Sequence, residues 1–114
     1  MEIVTLSDKI AEADKENSEF VRLFGTENFR SWLLYFKKGD GTDLHYHIAP
    51  ETMMVLQGRA SIKDKAGGEQ FVEKNQVLFL GAKEYYQITS VADEPLVLFA
   101  NRPEQFSGSH VTAE

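Results

Sequence analysis

Cysteine is absent from the 114 residues, so disulfides and thiolate metal sites are excluded, and any metal must take nitrogen and oxygen ligands. No apolar run approaches the length needed to cross a bilayer, so no membrane segment is expected. Met1-Glu2-Ile3-Val4-Thr5 lacks a basic region followed by a long apolar stretch. No secretory leader is therefore expected, and cytoplasmic residence is the default. Positive charge is in short supply: 12 Lys and Arg face 18 Asp and Glu, for a net charge of −6. Such a surface repels phosphate backbones and no basic cluster offsets it, which argues against a nucleic-acid partner. An anionic substrate would need local positive charge, which a bound metal could supply. No long amphipathic helix is available to build an α/β fold.

What is present is enough for a core. Apolar residues make up 42% of the chain, including eight Phe, four Tyr and one Trp, a folding rather than a disordered composition. The length suits one domain, 1–114. Ser7 through Asp14 could form one or two turns of helix, with Ser7 as N-cap and Asp8 in the first turn; Asp14–Glu19 then reads as a loop. From Phe20 the hydrophobic period becomes two. Phe20–Phe24 and Phe29–Phe36 read as strands, followed by short strands around His45–His47, Met53–Leu56, Arg59–Lys63, Gln70–Val72, Val77–Leu80, Tyr85–Ser90 and Leu96–Ala100. Turn signals such as Ala49-Pro50, Gln57-Gly58 and Asp93-Glu94-Pro95 separate most of them. Many short strands joined by regular turns predict an all-β sandwich or barrel, with its core in 20–102 and a polar tail at 103–114. Phe29–Phe36 is bulky on both faces, Trp32, Leu34 and Phe36 on one and Leu33 and Tyr35 on the other. Something must pack outside it, either the N-terminal segment or a second subunit.

His45 and His47 lie two apart on a strand and project from one face. Glu51 follows the Pro50 turn, early on the next strand, where a hairpin can bring its carboxylate beside the imidazoles. Two His and one carboxylate form an N,N,O set suited to Fe, Mn, Ni or Zn with positions left open. Alone, an H-x-H pair also occurs on solvated strands. Here, however, Gly39, His45, His47, Glu51 and Gly58 together read G-x5-H-x-H-x3-E-x6-G, which resembles the first cupin motif at every fixed position.

The second cupin motif, usually G-x5-P-x-G-x2-H-x3-N, falls by spacing on Asn75, Gly81, Lys83, Tyr86 and Ser90, and none of its consensus residues is kept. The resemblance covers about 29–100. It implies an antiparallel cupin barrel (jelly roll, or double-stranded β-helix), a homodimer, and a divalent metal on His45, His47 and Glu51. It also implies a small polar metabolite as ligand or substrate, with dioxygenase, isomerase or lyase chemistry if the chain is an enzyme. A non-catalytic module for a sugar-like ligand is the alternative. Tyr86 stands where the family's second motif supplies a histidine. It could bind metal as phenolate, act as general acid or base beside a three-ligand metal, or fill space; the second role is favoured.

Other residues are weighed against plain packing. Met53 shares parity with Glu51 and is expected in the core, as are Trp32, Tyr35 and Phe36, which could instead form a ligand-stacking wall. If Tyr86 points inward, Tyr85 and Gln87 point outward; a slip of one residue would exchange them and make Gln87 a possible amide ligand. Lys83 and Glu84 are expected to be solvated, and His110, in the polar tail, is assigned no function.

Overall fold

The computed structural model describes residues 1–103 and 111–112, and the tail residue His110 lies outside them. Among the described residues a helix, α1 (Leu6–Glu16), precedes ten strands: β1 (Phe20–Gly25), β2 (Arg30–Phe36), β3 (His45–Tyr46), β4 (Glu51–Gln57), β5 (Arg59–Lys63), β6 (Glu69–Glu73), β7 (Val77–Leu80), β8 (Gln87–Ser90), β9 (Leu96–Arg102) and β10 (Val111–Thr112). All pairings are antiparallel. One sheet has the order β1-β2-β9-β4-β7 and the other β6-β5-β8, while β10 pairs with β3 within the stretch expected to be only a polar tail.

The helix is longer than its local signals suggest. It starts at Leu6, with Thr5 at the N-cap position making no side-chain capping bond, so Ser7 lies in the first turn rather than at the cap. It runs on through Glu16, into the stretch expected to be loop, and stops at Asn17 in the left-handed conformation (φ 52°). Tertiary packing explains the difference. Leu6, Ile10 and Ala13 share one helix face and pack on Val21, Leu33, Tyr35 and Val97. The helix therefore covers the outer side of β1, β2 and β9, and it is the N-terminal segment that shields the doubly apolar β2. The Tyr35 hydroxyl donates to Asp14 Oδ1 at 2.7 Å, which ties strand to helix. Burial and that carboxylate push the Tyr35 phenol up to about 12. Val77 and Phe79, on the edge strand β7, remain exposed.

Alternation sends the other row of side chains inward. Trp32 and Phe36, Met53 and Val55, Leu96, Leu98 and Ala100, and Ala60, Leu80 and Ile88 form one buried cluster between the two sheets. Met53, Trp32 and Phe36 are thus core residues, and Tyr35 belongs to the helix-covered outer face. Two glycines are required by geometry. Gly58 turns β4 into β5 at φ +83°, and Gly41 bridges Thr89 so closely that a Cβ would overlap the Ile88 carbonyl oxygen.

Candidate functional site

The site starts from a backbone pair. His45 N–H donates to the Tyr86 carbonyl at 3.0 Å, and Tyr86 N–H returns a bond to the His45 carbonyl at 2.8 Å. Residues that exchange both bonds lie directly opposite, with side chains on the same face. Their ring centroids are accordingly 4.3 Å apart. This places Tyr86 inward and buried, with Tyr85 and Gln87 half-buried to either side, and removes the one-residue slip. His47 lies just past β3, and its ring meets that of His45 edge-on at 5.0 Å.

Glu51 opens β4 and shares inward parity with Met53 and Val55. The β4–β9 register pairs Thr52 with Asn101 and Met53 with Ala100, so one further step sets Glu51 opposite Arg102. Arg102 is inward by the same rule, as the last member of the row Leu96, Leu98, Ala100. Its Nη1 donates to His47 Nδ1 at 3.0 Å and lies 3.4 Å from Glu51 Oε1. Its Cζ sits 5.1 Å from the Trp32 ring, a cation–π contact on the chain's single tryptophan. The sequence pattern leaves Arg102 at the border of the tail. The available signal was the parity of β9, which continues two residues past Ala100.

Hydrogen bonding assigns the two histidine tautomers. The Asp43 carbonyl, 2.8 Å from His45 Nδ1, can only accept, so His45 carries a proton on Nδ1 and, when neutral, its lone pair on Nε2. A guanidinium can only donate, so His47 Nδ1 accepts and the neutral ring's proton is on Nε2. The H-x-H pair is held in opposite tautomers.

Burial dominates the electrostatics. Desolvation pushes the Glu51 carboxyl up to about 7, against the opposing pull of Arg102 and Arg30. Desolvation, then the nearby Glu51, raises the Tyr86 phenol far above its ordinary value. Tyr86 is therefore a protonated hydroxyl at neutral pH, a hydrogen-bond donor rather than a phenolate.

His45, His47 and Tyr86 are thus brought together, and Glu51 joins them through Arg102. The donor types suit a first-row divalent metal. Among the described residues no three His, Asp or Glu side chains are grouped to hold an ion. The lone pairs of His47 Nδ1 and Glu51 Oε1 are both turned toward the Arg102 guanidinium.

Comparison with known proteins supports the fold. No protein-family model matches the chain, and no curated protein matches it. Solved structures do. An uncharacterized conserved protein with a double-stranded β-helix domain from Klebsiella pneumoniae subsp. pneumoniae superposes with TM-score 0.79 at 15% identity, over 100% of this chain and 98% of the other. The polyketide cyclase RemF from Streptomyces resistomycificus gives TM-score 0.70 at 14% identity, over 79% of this chain and 63% of the cyclase. A structure from work on the DMSP lyases RdDddP and RnDddQII gives 0.70 at 20% identity, over 83% of this chain and 52% of that one. The chain thus spans less than two thirds of the cyclase and about half of the lyase structure. It has the cupin fold, an antiparallel double-stranded β-helix, as the first motif implied. No helix is long and apolar enough to cross a membrane among the described residues.

Proposed function

We propose that this chain is a cupin that binds a small polar metabolite in its inner site, with the Arg102 guanidinium as the resident cation. One observation carries the reading: Arg102 Nη1 contacts His47 Nδ1 at 3.0 Å and Glu51 Oε1 at 3.4 Å, the position an ion shared by those side chains would take. The ligand would accept from Arg102 and from the Tyr86 hydroxyl. Both are directional contacts from buried side chains. Tyr86, held protonated by its burial, then serves as a hydrogen-bond donor to the ligand.

A metal-dependent cupin is the second reading. It is favoured by the Nδ1–carbonyl bond of His45, which is how a ligating imidazole is commonly oriented. His45, His47 and Glu51 would hold the ion, which would supply Lewis-acid or redox chemistry to a substrate oxygen. Arg102 would have to turn away, and the His47 proton would have to change nitrogen. Two of the structural neighbours, a polyketide cyclase and a DMSP lyase structure, lend support to an enzymatic version of either reading. A cytoplasmic homodimer completes the proposal. A light-scattering mass of two chains at micromolar concentration supports the dimer, and a mass of one chain overturns it.

Metal analysis after purification and after reconstitution with iron, manganese, nickel or zinc separates the two readings. The resident-arginine reading expects substoichiometric metal in the wild type and a gain in Arg102→Ala. Stoichiometric wild-type metal, lost in the His45→Ala, His47→Ala double variant, establishes the second reading instead.

A further inference from the structure

The sequence holds no run of basic residues, yet strand pairing gathers Arg22, Arg30 and Arg102 on one face of β1, β2 and β9. Arg30 pairs with Arg102 across β2 and β9 and with Gly25 across β1 and β2, while Arg22 pairs with Trp32. Directly opposed residues share a face, so all three arginines lie on the inner side with Trp32. The Cζ atoms of Arg30 and Arg102 sit 4.9 and 5.1 Å from the Trp32 ring, and that of Arg30 also lies 4.9 Å from the Phe20 ring. A β-bulge between Arg22 and Phe24 bends the edge strand, and Arg22 reaches along it until Nη2 donates to the Gly25 carbonyl at 3.2 Å. Gly25 supplies the room: a Cβ there would come within 2.5 Å of Arg22 Nη2. Since Gly25 is the register partner of Arg30, the Arg22 guanidinium takes the place beside Arg30 that a side chain on Gly25 would fill. A cavity of about 400 Å³ opens there, lined by Phe20, Arg22, Gly25, Thr26 and Arg30, and no carboxylate lines it among the described residues.

We propose that this cavity is a second ligand site, for a small oxyanion of the carboxylate or phosphate-monoester type, held between Arg22 and Arg30 with its apolar body on Phe20. Arg22, Arg30 and Thr26 supply the polar wall. A guanidinium presents its donors in a planar fork that matches such an anion, and charge-assisted bonds of this kind are roughly twice as strong as neutral ones. Like charges set opposite one another across strands repel, so the Arg30–Arg102 pair gains from a nearby anion. Phe20 is 41% exposed and stacks on Trp32 with ring centroids 6.0 Å apart, which leaves an apolar wall open to the ligand. The net charge of −6 repels anions from the surface at large, so an anion that binds must meet this local concentration of positive charge. The volume lies within the usual range for small-molecule sites. None of the lining residues is His45, His47, Glu51, Tyr86 or Arg102, so the proposal stands apart from the function proposed above.

The probes are phenyl phosphate, benzoate and benzylamine, titrated at constant ionic strength into uniformly 15N-labelled full-length protein and followed by arginine Nε–H, backbone amide and indole resonances. Saturable shifts at Arg22, Gly25, Thr26, Arg30 and the Trp32 indole are expected with phenyl phosphate or benzoate and not with benzylamine. The tighter of the two anions tells a phosphate monoester from a carboxylate. Arg22→Gln is expected to weaken binding by about tenfold or more, and Arg22 is exposed, so its replacement leaves the fold intact. Gly25→Ala, whose methyl group displaces only the flexible end of Arg22, is expected to weaken binding by about threefold or more with an unfolding midpoint near wild type. Absence of saturable shifts with either anion, equal binding of benzylamine, or wild-type affinity in Arg22→Gln or Gly25→Ala overturns the proposal. Shifts confined to His45, His47 and Tyr86 also overturn it, because the anion then occupies the inner site.

Discussion

The two ends of the barrel interior are built from the same strands by the same alternation, yet they do opposite things. At one end Val55, Leu96, Leu98 and Ile88 meet side chain to side chain and bury only carbon. At the other, the same rows finish in Glu51, Arg102 and Tyr86, all buried and polar. The first end supplies packing, at roughly 25 cal/mol per Å² of apolar surface removed from water. The second carries desolvated charges, whose mutual attraction rarely exceeds the loss of hydration. Stability and chemistry are thus separated along one axis.

Truncation at the apolar end should have the largest effect. Leu98→Ala is expected to lose about 2–5 kcal/mol in denaturant unfolding while leaving ligand affinity near wild type, provided the fold persists. At the polar end the sign depends on pH. The Glu51 carboxyl is raised in the fold, so its neutral form is favoured there. That contribution is complete below the unfolded value near 4.5 and is lost as pH rises through about 7. Wild-type stability should therefore fall by up to a few kcal/mol across that window, because each tenfold change in proton affinity is worth about 1.4 kcal/mol, and Glu51→Gln should flatten the profile. A profile equally steep in both proteins would break the contrast between the ends. Tyr35→Phe tests the helix-covered outer face. Loss of its bond to Asp14 should cost about 1 kcal/mol, read as a shift of the unfolding midpoint. Phe79→Ser, on the bare outer strip, should change stability by less than about 0.5 kcal/mol.

The strands were legible because burial on one face imposes a period of two, and Arg59–Lys63 and Val77–Leu80 fall where the pattern sets them. The inward set His45, Glu51 and Met53 followed from parity and turn spacing, whereas Tyr86 came from its place in the degenerate second motif and its direction was fixed only by the backbone pair with His45. The extent of α1 did not, because Lys15 and Glu16 carry no helix signal stronger than the packing of Leu6, Ile10 and Ala13 on the sheet. The shortness of β3 was also hidden, since its bounds depend on hydrogen bonds to Tyr86 and to residues 111–112, far along the chain. Arg102 was missed for a physical reason. A cation followed by Pro103 looks like a strand's solvated end, and only the β4–β9 register shows it facing Glu51. The tautomers of the two histidines depend on Asp43 and Arg102, and no local pattern encodes them.

Imidazole 15N shifts and their long-range couplings to ring protons, recorded near pH 7.5 in metal-free protein, read those tautomers directly. The account requires His45 protonated on Nδ1 and His47 on Nε2, with the His47 pattern collapsing in Arg102→Ala. A wild-type protein with both rings protonated on Nδ1, and both Nε2 lone pairs available to a single ion, would contradict the assignment of Arg102 as the cation of this site.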